Sequence, residues 1–175
     1  MNHAVLAMML YASFSPYNLE KPPKVKHAKM IIEYAEQHGH DPYELLAIAI
    51  TESSLNPKVV SWAGAIGLFQ VMCKYWAKPL GYNSNKECSE ALFQPKENIK
   101  AGVHVLTTYR KKYKQCKDNL AYRCYYAGPR WIYRSDRLKA KIIRYETKVL
   151  QRKQMLHKYY TKFIESVRLN YRQQS

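Results

Sequence analysis

Six apolar residues in a row, Leu45-Leu46-Ala47-Ile48-Ala49-Ile50, limit what this chain can fold into. Asp41-Pro42-Tyr43-Glu44 stands before them and reads as a capping box. Asp41 caps the first turn, Pro42 takes the first helical position, and Glu44 sits three after the cap. Asn56-Pro57 stops the run. The spacing predicts a helix from Pro42 to about Ser54. A helix that is apolar almost all round has no face to offer water, so it must be buried by other elements. The chain has 175 residues, enough for one domain, or one domain and a tail, with a core of useful size.

The rest of the chain supplies helices to surround it. Residues 15–24, with Pro16, Pro22 and Pro23, read as an extended linker. A helical pattern follows from about Val25 to Gln37 and ends at Gly39. Gly64 and Gly67 mark residues 61–70 as a loop or short irregular strands. A helix is expected from Asn98 to Lys114, with Ile99, Val103, Leu106 and Tyr109 or Tyr113 on one side. Gly128-Pro129 breaks a short helix around Leu120–Ala127. From Asp136 onward, Leu138, Ile142, Tyr145, Val149, Leu156, Tyr160, Phe163 and Val167 form an apolar stripe on one or two long helices. The class is mainly α. The expected division is an apolar N-terminal segment with its linker (1–24), a main domain (25–150) and a basic helical tail (151–175), packed on the domain or extending it.

Residues 1–14 have the apolar run of a signal peptide but no Lys or Arg before it, and their small-x-small cleavage site is weak. They read instead as an apolar helix that packs on the domain. No run reaches the roughly 18 apolar residues of a membrane span. Lys+Arg number 29 and Asp+Glu 13, a formal charge of +16. Such a charge asks for an anionic partner: nucleic acid, a membrane surface or an acidic polymer such as a cell wall. Without a Gly-rich phosphate loop, a zinc knuckle or an aromatic RNA-binding pattern, nucleic acid is not expected as the main partner. Residues 137–175 hold 11 Lys+Arg and two acids, which makes a tail suited to anionic wall or lipid surfaces, or a solvated helix face. Cys73, Cys88, Cys116 and Cys124 contain no C-x-x-C pair, so no metal site is expected. Two disulfides are possible, in any of three pairings.

Glu52 is the residue with chemical potential. Ala49, Ile48 and Leu45 lie three, four and seven residues before it, so it shares their apolar face. Burial penalises an ionised carboxylate and raises its pKa. A carboxylic acid held protonated near neutral pH can protonate a leaving oxygen. The competing reading is a helix-end glutamate that reaches solvent. Glycoside hydrolysis normally uses two carboxylates, and none stands at a fixed spacing from Glu52. A reaction with one carboxylate needs a nucleophile from the substrate itself.

Five segments in register resemble the soluble-type lytic transglycosylases, whose fold is goose-lysozyme-like. They are Glu52-Ser53-Ser54-Leu55-Asn56-Pro57, Gly64-Ala65-Ile66-Gly67-Leu68-Phe69-Gln70-Val71-Met72, Pro95-Lys96-Glu97-Asn98-Ile99 with Gly102, Cys124-Tyr125-Tyr126-Ala127-Gly128-Pro129, and Arg144 to Leu150. The resemblance covers about residues 25–150. It implies cleavage of the β-1,4 bond between N-acetylmuramic acid and N-acetylglucosamine in a peptidoglycan glycan strand, with no cofactor. Glu52 takes the acid role and then, as carboxylate, accepts the proton of the muramic C6 hydroxyl as a 1,6-anhydro ring closes. The 2-acetamido group supports the cationic transition state. Ser53, Phe69, Gln70, Tyr125 and Tyr145 take substrate-binding positions. Tyr125 is also implied to place its hydroxyl by the acid, and Tyr145 matches the tyrosine of the closing helix.

The departures from the family pattern are Phe69 for methionine, Tyr126 for asparagine, Cys124 for alanine, and Arg130-Trp131 after Gly-Pro. Trp62, Trp76 and Trp131 are candidates for sugar stacking, although tryptophans are more often core. Two other functions stay open: a hydrolytic muramidase of the same fold, and a non-catalytic wall-binding protein. The expected place of action is the periplasm or cell wall. The expected carrier is a phage, as a virion-borne or lysis protein, with a secreted bacterial protein as the alternative.

Overall fold

The structure is a computed structural model and describes residues 22–173. The sequence-based readings of residues 1–21, including the phage assignment that rests on them, lie outside the described residues. The helices are α1 (Pro22–Gln37), α2 (Pro42–Ser53), α3 (Cys73–Trp76), α4 (Asn85–Leu92), α5 (Pro95–Lys112), α6 (Leu120–Ala127) and α7 (Asp136–Gln173). Two short strands, β1 (Ala65–Ile66) and β2 (Val71–Met72), pair antiparallel with Ala65 opposite Met72 and Ile66 opposite Val71. The chain forms two compact units. One is Ile48–Leu150; the other joins the segments up to Ala47 and from Gln151 onward.

In the second of these units, α1 buries Ala28, Ile31, Ile32 and Ala35, a helical spacing of three and four. The helix starts at Pro22, so Pro22 and Pro23 open it instead of closing a linker. A proline in the first turn loses no hydrogen bond, because those N–H groups have no partner within the helix. Gly39 ends α1 with φ of +67°. Asp41 caps α2 as expected: its Oδ1 accepts from the Tyr43 and Glu44 amides at 2.9 and 3.3 Å. Lys153 Nζ lies 2.7 Å from Asp41 Oδ2. Burial alone would raise the Asp41 pKa, but Lys153 and the two amides outweigh it and hold it below the usual value. Leu45 to Ile50 are all buried, as an all-apolar helix requires.

The other unit is organised around the loop that follows α2. Ser54 and Leu55 both take left-handed backbone, with φ of 51° and 61°, and turn the chain sharply after Ser53. The loop then forms the β1–β2 hairpin. Helix α5 fastens it. Asn98 is fully buried, where an apolar residue would be expected, because it serves three backbone groups. Its Nδ2 donates to Ile66 O at 2.9 Å and Leu92 O at 2.8 Å, and its Oδ1 accepts from Phe69 N at 2.8 Å. Gly67 has φ of +76°, and a Cβ there would lie 2.2 Å from Asn98 Nδ2. Gly102 lies one turn after Asn98 and faces the Phe69 ring, which a Cβ would meet at 2.4 Å.

Helix α5 begins at Pro95, three residues before the expected start, with proline again in its first turn. Helix α7 is a single helix of 38 residues. Its stripe is observed through buried Ile142, Tyr145, Val149 and Leu156; the side chains of Tyr160, Phe163 and Val167 lie outside the described ones. The cysteines pair as Cys73–Cys88 and Cys116–Cys124. The first joins α3 to α4, and the second joins the turn before α6 to α6 itself.

Asn98→Ala would strand two carbonyls and an amide in the core, each at a cost of about 1–3 kcal/mol. We expect it to destabilise by several kcal/mol in denaturant unfolding. Gly102→Ala should also destabilise, by about 1–3 kcal/mol through overpacking against Phe69. A neutral result for either variant would mean that the loop is not held from α5.

Candidate active site

Every candidate site residue lies within Ile48–Leu150. Glu52 stands in the last turn of α2, one residue before the helix ends. The apolar residues that precede it on the same face are buried, and they draw the carboxyl in with them. Part of Glu52 still reaches solvent. Yet the protein around the carboxylate desolvates it and raises its pKa from 4.5 to about 7. Tyr145 opposes this rise. Its hydroxyl donates to Glu52 Oε1 at 2.5 Å across 93 residues of sequence. This bond favours the ionised form, but burial outweighs it. A carboxyl balanced near neutrality can give up a proton and take one back.

The neighbouring side chains fix the frame around the acid. The Ser53 hydroxyl is shared between Ala49 O at 3.1 Å and Leu68 O at 2.9 Å, which ties the end of α2 to the loop. Phe69 is fully buried over Gly102, so its ring supports the loop and offers no wall to a substrate; its carbonyl accepts from the Tyr125 hydroxyl at 2.8 Å. The Tyr125 phenol is held well above its usual pKa of 10, first by burial and then by the nearby Glu52 charge. It stays neutral at any working pH. Gln70 has φ of +48°, and its Nε2 donates to Val59 O and Gly67 O, both at 3.0 Å. These donors therefore brace the loop. The structure thus gathers Glu52, Ser53, Phe69, Gln70, Tyr125 and Tyr145 around one loop and three helices. Among them, Tyr145 bonds the Glu52 carboxyl and Tyr125 bonds the Phe69 carbonyl.

The tryptophans divide. Trp62 is completely exposed on the turn before β1, contrary to the core expectation. Trp76 is half-buried, edge-on to Tyr109 and His104. Trp131 is half-buried beneath the Arg123 guanidinium. Sequence reasoning did not single out Asn98 or the Arg123–Glu146 ion pair as parts of the site's frame. Each has a readable signal: Asn98 and Glu146 are polar residues on apolar helix stripes. Among the described residues, no group of three or more His, Cys, Asp or Glu gathers as a metal site would require. No described helix is long and apolar enough to cross a membrane.

The transglycosylase SLT domain family matches residues 29–145, well over half of the chain, and the chain belongs to that family. Among its relatives, the membrane-bound lytic murein transglycosylase C of Histophilus somni is 37% identical over 92 residues, covering 50% of this chain and 25% of that protein. The Edwardsiella ictaluri protein of the same name is 35% identical over 101 residues, covering 56% and 28%. The chain thus spans little more than a quarter of the length of these relatives. The fold is similar to that of the 70 kDa soluble lytic transglycosylase SLT70 of Escherichia coli, with a TM-score of 0.60 and 23% identity, covering 93% of this chain and 29% of that one. It is also similar to lytic transglycosylase Slt of Pseudomonas aeruginosa, with a TM-score of 0.55 and 21% identity, covering 93% and 30%. The fold is accordingly the mainly α, lysozyme-like one that the five motifs imply.

A carboxyl with a raised pKa prefers its proton more in the folded state than in the unfolded one. Its contribution to stability therefore falls as pH rises from 4.5 to about 7 and stays level above that. The displacement is equivalent to about 3 kcal/mol at most. Glu52→Gln should thus raise stability near pH 8 by up to that amount and change it little near pH 4. Paired unfolding curves at the two pH values test this; an equal effect at both would show that Glu52 is not desolvated.

Proposed function

We propose that this chain is a lytic transglycosylase that cleaves the N-acetylmuramic acid β-1,4 N-acetylglucosamine bond of peptidoglycan. The observation that carries the reading is a single desolvated acid hydrogen-bonded by one phenol. Among the described residues, Glu52 is bonded by the Tyr145 phenol and lies close enough to Tyr125 to raise its pKa, and neither partner is a carboxylate. The other buried carboxylates among the described residues are Glu44 and Glu146. Glu146 is paired to Arg123 at 2.7 Å, and Glu44 belongs to the other compact unit. A site with one working acid suits a reaction whose nucleophile comes from the substrate.

The steps follow from this arrangement. Tyr145 donates to Oε1 of Glu52, so Oε2 is the oxygen that carries the exchangeable proton. Glu52 gives that proton to the glycosidic oxygen as the C1–O bond breaks. The charge developing at C1 is met by the 2-acetamido group of the sugar. The Tyr145 hydrogen bond steadies the carboxylate left behind. That carboxylate then takes the proton of the muramic C6 hydroxyl while its oxygen bonds C1. The product is a 1,6-anhydro ring, no water is consumed, and Glu52 is again protonated.

The place of action is the peptidoglycan layer. Two disulfides agree with an oxidising compartment outside the cytoplasm. Arg137, Lys141, Arg144 and Lys148 recur at three- and four-residue steps and are all exposed, so they share a face of α7. This face gives the +16 chain a surface for anionic wall polymers or lipid headgroups, beside its main partner, the glycan strand.

Glu52→Gln should lower cleavage of purified peptidoglycan by about 10²–10⁴-fold. Mass spectrometry of the native chain's soluble products should find muropeptides ending in 1,6-anhydro-muramic acid. Products one water heavier would make the protein a hydrolase, and full activity in Glu52→Gln would remove the residue from its role. Sedimentation with insoluble peptidoglycan should fall as salt rises from about 0.1 to 1 M, where the screening length drops from about 10 to 3 Å. Binding indifferent to salt would discount the charged face.

A further inference from the structure

Helices α6 and α7 meet at two adjacent points beside the acid. Arg123 and Tyr126 are three residues apart on α6 and so lie on one face of it. The Arg123 Nε–H donates to Glu146 Oε2 at 2.7 Å. The Tyr126 ring stacks on the Tyr145 ring, with centroids 4.9 Å apart and planes 28° apart. Tyr145 and Glu146 are consecutive on α7, and both are buried. One helix therefore grips both the residue that bonds Glu52 and the residue after it.

The gripping helix is itself anchored. The Cys116–Cys124 disulfide ties it to the preceding turn. Gln115 Nε2 in that turn donates to Pro129 O, beyond the far end of α6, at 3.0 Å. Tyr125 bonds Phe69 O in the loop next to Glu52. The Arg123 guanidinium lies 4.8 Å over the Trp131 ring, which fixes its plane. Tyr126 itself is nearly half exposed, so its ring does not fill the core. A hydrogen bond tolerates only a few tenths of an ångström of drift. The phenol that makes it stands at the far end of a long side chain, and a stacked ring is an effective brake on that swing.

We propose that Tyr126 and the Arg123–Glu146 pair are positioning residues that hold the Tyr145 hydroxyl on Glu52 Oε1. The assignment rests on Glu52 being the acid of the proposed reaction, and it gives Tyr126 no contact with reacting atoms. Among the described residues, the titratable groups that face Glu52 are Tyr145 from α7 and Tyr125 from α6; Arg123 and Glu146 neutralise each other. When the Tyr145 bond loosens, the carboxylate loses a stabilising partner and Glu52 holds its proton to higher pH.

The test compares Tyr126→Ala, Tyr126→Phe and Arg123→Lys with the native chain. Glu52 ionisation is followed by carbon NMR of its labelled carboxyl, and turnover of soluble glycan strands is followed against pH. In Tyr126→Ala the carboxyl titration and the alkaline limb of kcat/KM should both move to higher pH. Its kcat should fall about 2- to 10-fold with KM little changed. Tyr126→Phe keeps the stacked ring and should match the native chain throughout. Arg123→Lys should move the titration the same way, because an ammonium cannot present the flat Nε edge. An unmoved titration in both Tyr126→Ala and Arg123→Lys overturns the proposal, as does a rise in KM alone or equal damage from Tyr126→Phe. The titration needs no substrate. A shifted titration in a chain that cleaves no glycan would uphold the positioning role and refute the proposed reaction instead.

Discussion

A helix with no polar side has to be buried, and α2 carries an acid one residue before its end. That constraint governs the rest of the molecule. Burying Leu45 to Ile50 drags the Glu52 carboxyl out of water. The site answers with one phenol from 93 residues downstream, enough to moderate the desolvation but too little to cancel it. An ion pair in the same place would have held the carboxylate permanently charged. The partner is a neutral donor, so the proton remains negotiable. This is the condition for a single group to serve on both sides of a proton transfer.

The loop next to that acid has little regular structure of its own, since its two strands are two residues each. Its shape is imposed from outside. Asn98 takes hold of three of its neighbouring backbone groups, and Ser53 and Tyr125 reach its carbonyls from two further helices. Glycine is required at Gly67 and Gly102 because those ties are short. Ser53, Gln70 and Tyr125, which resemble substrate contacts, thus donate to backbone carbonyls within the protein. The loop's rigidity comes from satisfying its own buried polar groups, and the cleft beside it inherits that rigidity.

Much of this was legible beforehand. The capping box at Asp41, the buried helix, the break at Gly128-Pro129 and the short helix before it follow from local chemistry alone. The helices start at Pro22 and Pro95, three residues before the apolar pattern places them, because proline looks like punctuation although it is harmless in a first turn. The apolar stripe of α7 is visible, but the pairing of Glu146 with Arg123 is not, since a salt bridge between two helices leaves no periodicity. The pairing of the four cysteines also depends on contacts that spacing does not encode. Glu52 stood out because a carboxylate on an apolar face is costly. Its partner Tyr145 emerged only through motif resemblance, as one of 16 tyrosines that composition cannot rank. Trp62 defied the usual burial of tryptophan because a tight turn held by Ser61 presents it outward.

The position of Glu52 along α2 has one more consequence. Peptide dipoles in a helix add head to tail and leave a partial negative charge where the last carbonyls point. Ser54 and Leu55 stop α2 abruptly, in left-handed backbone, directly after the acid and its serine. The carboxyl is therefore placed at the electronegative pole of its own helix. There the backbone resists a second negative charge, whatever side chains surround it. The sharp reversal at Ser54 thus shapes the chain and also sets a field: it ends the helix where its polarity helps a carboxylic acid keep its proton.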